Sequence, residues 1–277
     1  MTDFDAKLEK MTKQLLFEAP QKLIDSVLYT LLLPGKRIRP RLAATCGALV
    51  GLDVKATDCI AMSVEMLHCF TLIHDDLPCM DDDQLRRGKP ANHLVFGEAI
   101  ALLAGDALNQ LAVECLFEAE GSVNPKHLLH TCRFLMNQVG PNGVIGGQVA
   151  EMDLGSQTPE KNIGWVHEKK TAALFVAAAV MPLIAKGLSP LDPKTQALNR
   201  FALHLGLGFQ ILDDLDDLGS QPDPANVFYE NEKDTVLNKA LRSLYETREE
   251  VVALFSKRSE NLILIQNEVV TRLKGAL

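Results

Sequence analysis

The chain has 277 residues, enough for one large domain with a buried core, and its 47% hydrophobic and 23% charged residues are ordinary for a globular protein. A formal net charge of -8 argues against general nucleic-acid binding and against attraction to anionic membrane surfaces. None of the six cysteines forms a CxxC pair, so a zinc knuckle is not expected; most lie in apolar stretches and read as buried, reduced thiols of a cytoplasmic protein.

The N-terminus, MTDFDAKLEKMTKQLL, carries acids and no apolar core, unlike a signal peptide. Helical apolar spacing begins there, over residues 4–18, and resumes over 20–33. Pro34-Gly35 breaks it, and PGKRIRPR follows, with Lys36, Arg37, Arg39 and Arg41 ahead of the next helix. That segment is either an anion site or a solvated basic turn.

Residues 41–51 and 56–77 are again helical in pattern, and the second ends in an acidic cluster. Residues 68–93 read HCFTLIHDDLPCMDDDQLRRGKPANH, in which five aspartates (Asp75, Asp76, Asp81, Asp82 and Asp83) occupy nine positions. Glu65, His68, Leu72 and Asp75 step by 3, 4 and 3, so they share one helix face. Pro78 cannot continue the helix without losing a backbone bond. The carboxylates therefore gather at a helix C-terminus, where the dipole disfavours anions, and call for cations. Hard divalent ions suit them, magnesium above all, held by one or two carboxylates together with substrate phosphates. Arg86 and Arg87 follow at once, and their guanidinium forks match phosphate oxygens. Carboxylates and guanidiniums in one place point to a diphosphate bridged through metal.

Helical spacing continues over 97–119 and 126–139. In IGGQVAEMDL, Gly146 and Gly147 permit close backbone approach, and Gln148 and Glu151 share a face. Residues 161–186 include the longest apolar run, 172–185, which contains Pro182 and falls short of the ~20 residues a membrane span needs. It reads as a buried helix opened by Lys169, Lys170 and Thr171, the last two placed to touch phosphate or to sit in a solvated turn. Over 193–218 a second acidic cluster, GFQILDDLDD, places Gln210, Asp213 and Asp217 at steps of 3 and 4 on an otherwise apolar helix. Carboxylates there are costly unless paired or metal-bound. Two such helices facing each other would hold metals against one diphosphate. Residues 233–254 and 258–275 complete an all-α chain with no linker or repeat, expected to be one helical bundle over residues 1–277.

HDDLPCMDDDQLRRGKPANH, preceded by GKRIRP and followed by GGQ, KT and FQILDDLDD, resembles the trans-polyprenyl diphosphate synthase family, with the motifs in the family's order across residues 35–217. The resemblance implies a single polyprenyl synthetase domain of the isoprenoid-synthase type. It implies a homodimer, and a magnesium-dependent condensation of isopentenyl diphosphate with an allylic diphosphate. By resemblance, Asp75, Asp81 and Asp213 bind magnesium, supported by Asp76 and Asp217. Arg86, Lys170, Thr171 and Gln210 hold the allylic diphosphate, and Lys36, Arg39, His68 and Arg87 hold isopentenyl diphosphate. Phe70 and Thr71, just before the first motif, set product length, and farnesyl diphosphate is the expected product, with geranylgeranyl diphosphate its competitor.

Two departures stand out. Glu151 stands where the family has Asp in GGQxxD, and between Asp217 and Lys233 there is no lysine where the family has a lysine-bearing loop. The second makes a non-catalytic subunit of a heteromeric synthase the rival reading. A terpene cyclase would need neither the site at Lys36, Arg39 and His68 nor a second full acidic motif.

Overall fold

A computed structural model describes residues 3–156, 160–218, 223–229 and 231–277. Helices form where the apolar spacing places them, with ends shifted by a few residues: α1 Asp3–Leu15, α2 Gln21–Leu31, α3 Ile38–Val50, α4 Val54–Asp75, α6 Glu98–Phe117, α7 Pro125–Val139, α11 Pro193–Asp216, α12 Lys233–Phe255 and α13 Glu260–Gly275. The expected all-α class holds. Between α4 and α6 lie a short antiparallel hairpin, β1 Leu85–Arg86 with β2 Lys89–Pro90, and a one-turn helix, α5 Asn92–Phe96. Neither follows from helical periodicity. Helix α8 covers Val144–Asp153. The predicted helix over 161–186 is α9 Ile163–His167, a π turn Glu168–Ala172 and α10 Ala173–Lys186 in unbroken succession.

The chain forms two compact units, Met1–Arg41 with Val54–Val123, and Leu42–Asp53 with Asn124–Leu277. In the first, α4 packs on α6, and the Ser63 hydroxyl donates to the Ala112 carbonyl at 2.7 Å. Both helices are long and apolar enough to cross a membrane, yet α4 is largely buried inside the protein and carries Glu65 at its centre. A buried polar cluster ties α2 to α5: Ser26 donates to Asn92 Oδ1 at 2.8 Å, and Asn92 Nδ2 donates to the Ser26 carbonyl and to Thr30 Oγ1, each at 2.9 Å. Polar groups buried this way are stable because each is partnered.

In the second unit α10 is the core. Every residue from Ala173 to Ala185 is buried, Pro182 included, and α7 and α11 pack against it. Helices α12 and α13 pack in turn on α11. Five of the six cysteines are buried, as their apolar surroundings imply, and Cys79 is exposed.

Candidate active site

In the first unit, the stepped face of α4 delivers its residues as a set. Helix α4 stops at Asp75, and the following loop folds back on that end: the Asp81 amide donates to the Asp75 carbonyl at 2.9 Å, and Met80 and Asp82 close onto Leu77. The fold-back returns Asp81 to the turn that carries Asp75. Asp76 points the other way. It is 1% exposed and accepts from both Nε (2.8 Å) and Nη2 of Arg86, which also pairs with Asp83. Burial pushes the Asp76 carboxyl above its usual range, and the Arg86 bonds pull it back. Asp76 therefore anchors an arginine, while Asp81 is exposed to solvent and Asp75 half-exposed.

The hairpin turns at Arg87 and Gly88, both at positive φ (53° and 75°), as a two-residue turn of this hand requires. It sends Arg87 toward the Pro34-Gly35 break. The Arg87 guanidinium donates to the Leu33 carbonyl at 3.2 Å and lies against Gly35, where a Cβ would come within 2.9 Å of it and push it aside. Arg37 turns inward. It binds the buried Glu65, Asp5 (3.1 Å) and the carbonyls of Leu31 (2.9 Å) and Leu33 (3.2 Å). Of the four basic residues in PGKRIRPR, this one is structural, while Lys36 remains exposed. Periodicity placed Glu65 on the right face but gave no hint of its partner. His68, one turn beyond Glu65, is pushed well below the ordinary imidazole range by burial and by Arg39, Arg87, Arg37 and Arg86. It is a neutral imidazole in a field of guanidiniums. Thr71 donates to the His68 carbonyl at 2.8 Å. Phe70 is buried with its ring edge-on to His74 at 4.9 Å, and His74 is held at 3.0 Å from the Leu102 carbonyl.

In the second unit, α8, the π turn and α11 carry the remaining candidates. Lys170 pairs with Glu151, so the Glu at the family's Asp position keeps the ion pair's charge. Thr171 donates to Gln210 Oε1, and Gln210 Nε2 donates to Asp214 Oδ1 at 2.7 Å. Asp214, 5% exposed, also accepts from the Val227 amide at 2.8 Å, and its backbone carbonyl accepts from Asn226 at 2.7 Å. His167 lies 3.0 Å from the Ala225 carbonyl. Burial raises the Asp214 carboxyl, and His167, the Val227 amide and Gln210 oppose the rise. Asp214 is thus a structural anchor for 223–229. Asp213 is half-exposed and Asp217 exposed. No sequence signal announced the anchoring of 223–229, because its partners there are backbone groups. Part of the lysine-free stretch, residues 219–222 and 230, lies outside the described residues. A cation does reach the second motif from elsewhere, since Arg272 of α13 pairs with Asp216 at 2.7 Å.

Among the described residues, no three carboxylate, imidazole or thiol groups are gathered closely enough to hold a metal unaided. The fold-back that joins Asp81 to Asp75 offers the one or two carboxylates that magnesium takes from a protein, alongside water and phosphate oxygens. Asp81 is exposed, and Asp75 and Asp213 are half-exposed.

A family model described as Polyprenyl synthetase matches residues 20–265. The large subunit 1 of the heterodimeric geranylgeranyl pyrophosphate synthase of Arabidopsis thaliana, chloroplastic, is 42% identical over 207 residues, covering 72% of this chain and 55% of that protein. The chain spans little more than half the length of the curated relatives it matches. Among solved structures, a geranyltransferase from Legionella pneumophila superposes with a TM-score of 0.84 at 31% identity, covering 97% of this chain and 95% of that one. A geranyltransferase from Helicobacter pylori, complexed with magnesium and isoprenyl diphosphate, gives 0.78 at 26% identity, covering 98% and 99%.

Proposed function

This chain belongs to the polyprenyl synthetase family, and from that premise we propose that it is a magnesium-dependent trans-prenyltransferase. It condenses isopentenyl diphosphate with dimethylallyl or geranyl diphosphate to give farnesyl diphosphate. The observation that carries the reading is the fold-back that returns Asp81 to Asp75 at 2.9 Å between their backbones, beside Arg86 and its buried anchor Asp76.

The reaction breaks an allylic C–O bond, adds the resulting cation to the isopentenyl double bond and releases a proton. Its barrier is the charge left on the diphosphate, which magnesium, when bound, would neutralise. Asp75, Asp81 and Asp213 would hold the metal, with Asp217 in support. Asp76 serves by aiming Arg86 instead. Arg86, Lys170, Thr171 and Gln210 grip the allylic diphosphate, and Glu151 and Asp214 fix the last three in place through the bonds given above. Lys36, Arg39 and Arg87 bind isopentenyl diphosphate, while the neutral His68 donates a hydrogen bond without adding charge. Phe70, buried beside His74, closes the end of the prenyl channel.

Incubating the purified chain with magnesium, isopentenyl diphosphate and either primer should give farnesol after dephosphorylation. Phe70→Ala should lengthen the product. A second reading, geranylgeranyl diphosphate synthesis, is favoured by the name of the Arabidopsis relative, and geranylgeraniol from the unaltered chain would select it. No product from the chain alone would favour the subunit reading. We further propose a cytoplasmic homodimer, which five buried thiols and the exposed Leu102, Leu103 and Phe117 on one face of α6 support. Light scattering should return twice the mass of one chain.

A further inference from the structure

One cavity is lined by none of the residues assigned to the candidate active site. It has a volume of about 460 Å³ and is bounded by α7 and by the chain reversal after α10. That size suits a small organic ligand and far exceeds an inorganic anion. One wall is basic: Lys126, His127, His130 and Arg133 all come from α7. Phe134 and Asn137 of the same helix also line the cavity, and Ile184, Leu188, Ser189 and Pro190 line it from the end of α10 and the reversal after it. No Asp or Glu lines it, in a chain with 36 acids against 28 Lys and Arg. Among the described residues, none of the four basic side chains pairs with a carboxylate.

The cavity is built rather than incidental. Helix α10 ends at Gly187 with φ 97°, and a Cβ there would come 2.5 Å from the His127 ring. The left-handed backbone favours glycine there, and its missing Cβ leaves room for the imidazole to lie against it. The end of α10 would repel an anion through its open carbonyls, but two of these are occupied: Gly187 N donates to Ile184 O and Leu188 N to Leu183 O, each at 2.9 Å. The basic side chains then set the sign of the local potential.

We propose that this cavity binds an amphipathic organic phosphate, its headgroup on Lys126, His127, His130 and Arg133 and its apolar chain against Phe134 and Leu188. The site is separate from the acidic motifs, and the proposal does not rest on the reaction assigned to them. Titration calorimetry with n-octyl phosphate tests it, run in EDTA so that magnesium-dependent phosphate binding is absent. One-to-one binding is expected, weakened at least ten-fold in the Lys126→Ala/Arg133→Ala variant, whose two altered side chains are exposed and whose fold circular dichroism checks. Inorganic phosphate and n-octanol should each bind at least ten-fold more weakly than n-octyl phosphate. Equal binding of inorganic phosphate would assign the site to a free anion, and equal binding of n-octanol would make it a purely apolar cleft; either overturns the proposal. So would an absence of binding, or binding that the double variant leaves unchanged.

Discussion

Glu65 shows how a single buried charge organises the basic segment. It is 1% exposed at the middle of α4, paired with Arg37 and 3.8 Å from Arg87. The Arg37 side chain is itself only 8% exposed and sits at φ 49°, a conformation that costs a non-glycine residue energy unless its surroundings hold it. Removing one partner of a buried ion pair leaves the other charge uncompensated, which costs ~3–5 kcal/mol. Glu65→Ala should therefore lower the unfolding free energy by about that much in urea titrations. Asp58→Ala, which breaks the exposed pair with Lys7 at 2.9 Å, should cost no more than ~1 kcal/mol. If both variants lose the same small amount, the carbonyls of Leu31 and Leu33 suffice to hold Arg37. At this scale the sequence was readable in part. The α4 face could be derived from steps of three and four, but which of Lys36, Arg37 and Arg39 turns inward depends on a left-handed backbone that no pattern announces. Similarly, Asp76 and Asp75 are indistinguishable as neighbours in a string. Burial against Arg86 is what separates them.

At the scale of elements, the π turn Glu168–Ala172 is fixed by two glycines. A Cβ at Gly147 of α8 would lie 2.4 Å from Lys170 N, and one at Gly206 of α11 would lie 2.7 Å from Ala172 Cα. Both obstacles are backbone, so neither can swing aside, and overpacking of this kind typically costs ~1–3 kcal/mol. The widened turn with its close neighbours presents Lys170 to Glu151 and Thr171 to Gln210, and π turns recur at functional sites for this reason. Gly147→Ala should destabilise the protein by ~1–3 kcal/mol and raise the KM for the allylic diphosphate more than that for isopentenyl diphosphate. Gly155→Ala is the control, because a Cβ there meets nothing within 4 Å. Equal KM shifts for the two substrates in Gly147→Ala would detach the π turn from allylic binding. Helix existence was legible throughout because apolar spacing reports burial on one face. The π turn was not, since one extra residue per turn leaves that spacing intact over so short a stretch. The hairpin at Leu85–Lys89 escaped too, being two residues per strand and governed by the positive φ of Arg87 and Gly88.

For the molecule as a whole, the acidic excess is concentrated where the proposed chemistry needs it. The first motif lies in one compact unit and the second in the other. Both motifs could be read directly from the chain, because clustered aspartates on apolar helices demand cations whatever the fold. A cation that binds these carboxylates as the folded chain arranges them, and not the unfolded chain, stabilises the native state. Magnesium with inorganic diphosphate should raise the unfolding free energy by ~2.7 kcal/mol at a hundred times the dissociation constant. For a chain of this size that is a rise in Tm of roughly 5–10 °C. Diphosphate in EDTA should produce little of it. The two motifs can then be tested separately: Asp75→Ala and Asp213→Ala should each remove most of the magnesium-dependent shift, measured against that variant's own Tm in EDTA. If Asp213→Ala retains the full shift, the second motif holds no magnesium, and the exposed Asp217 and the Asp216–Arg272 pair would belong to the architecture of α11 and α13 rather than to the reaction.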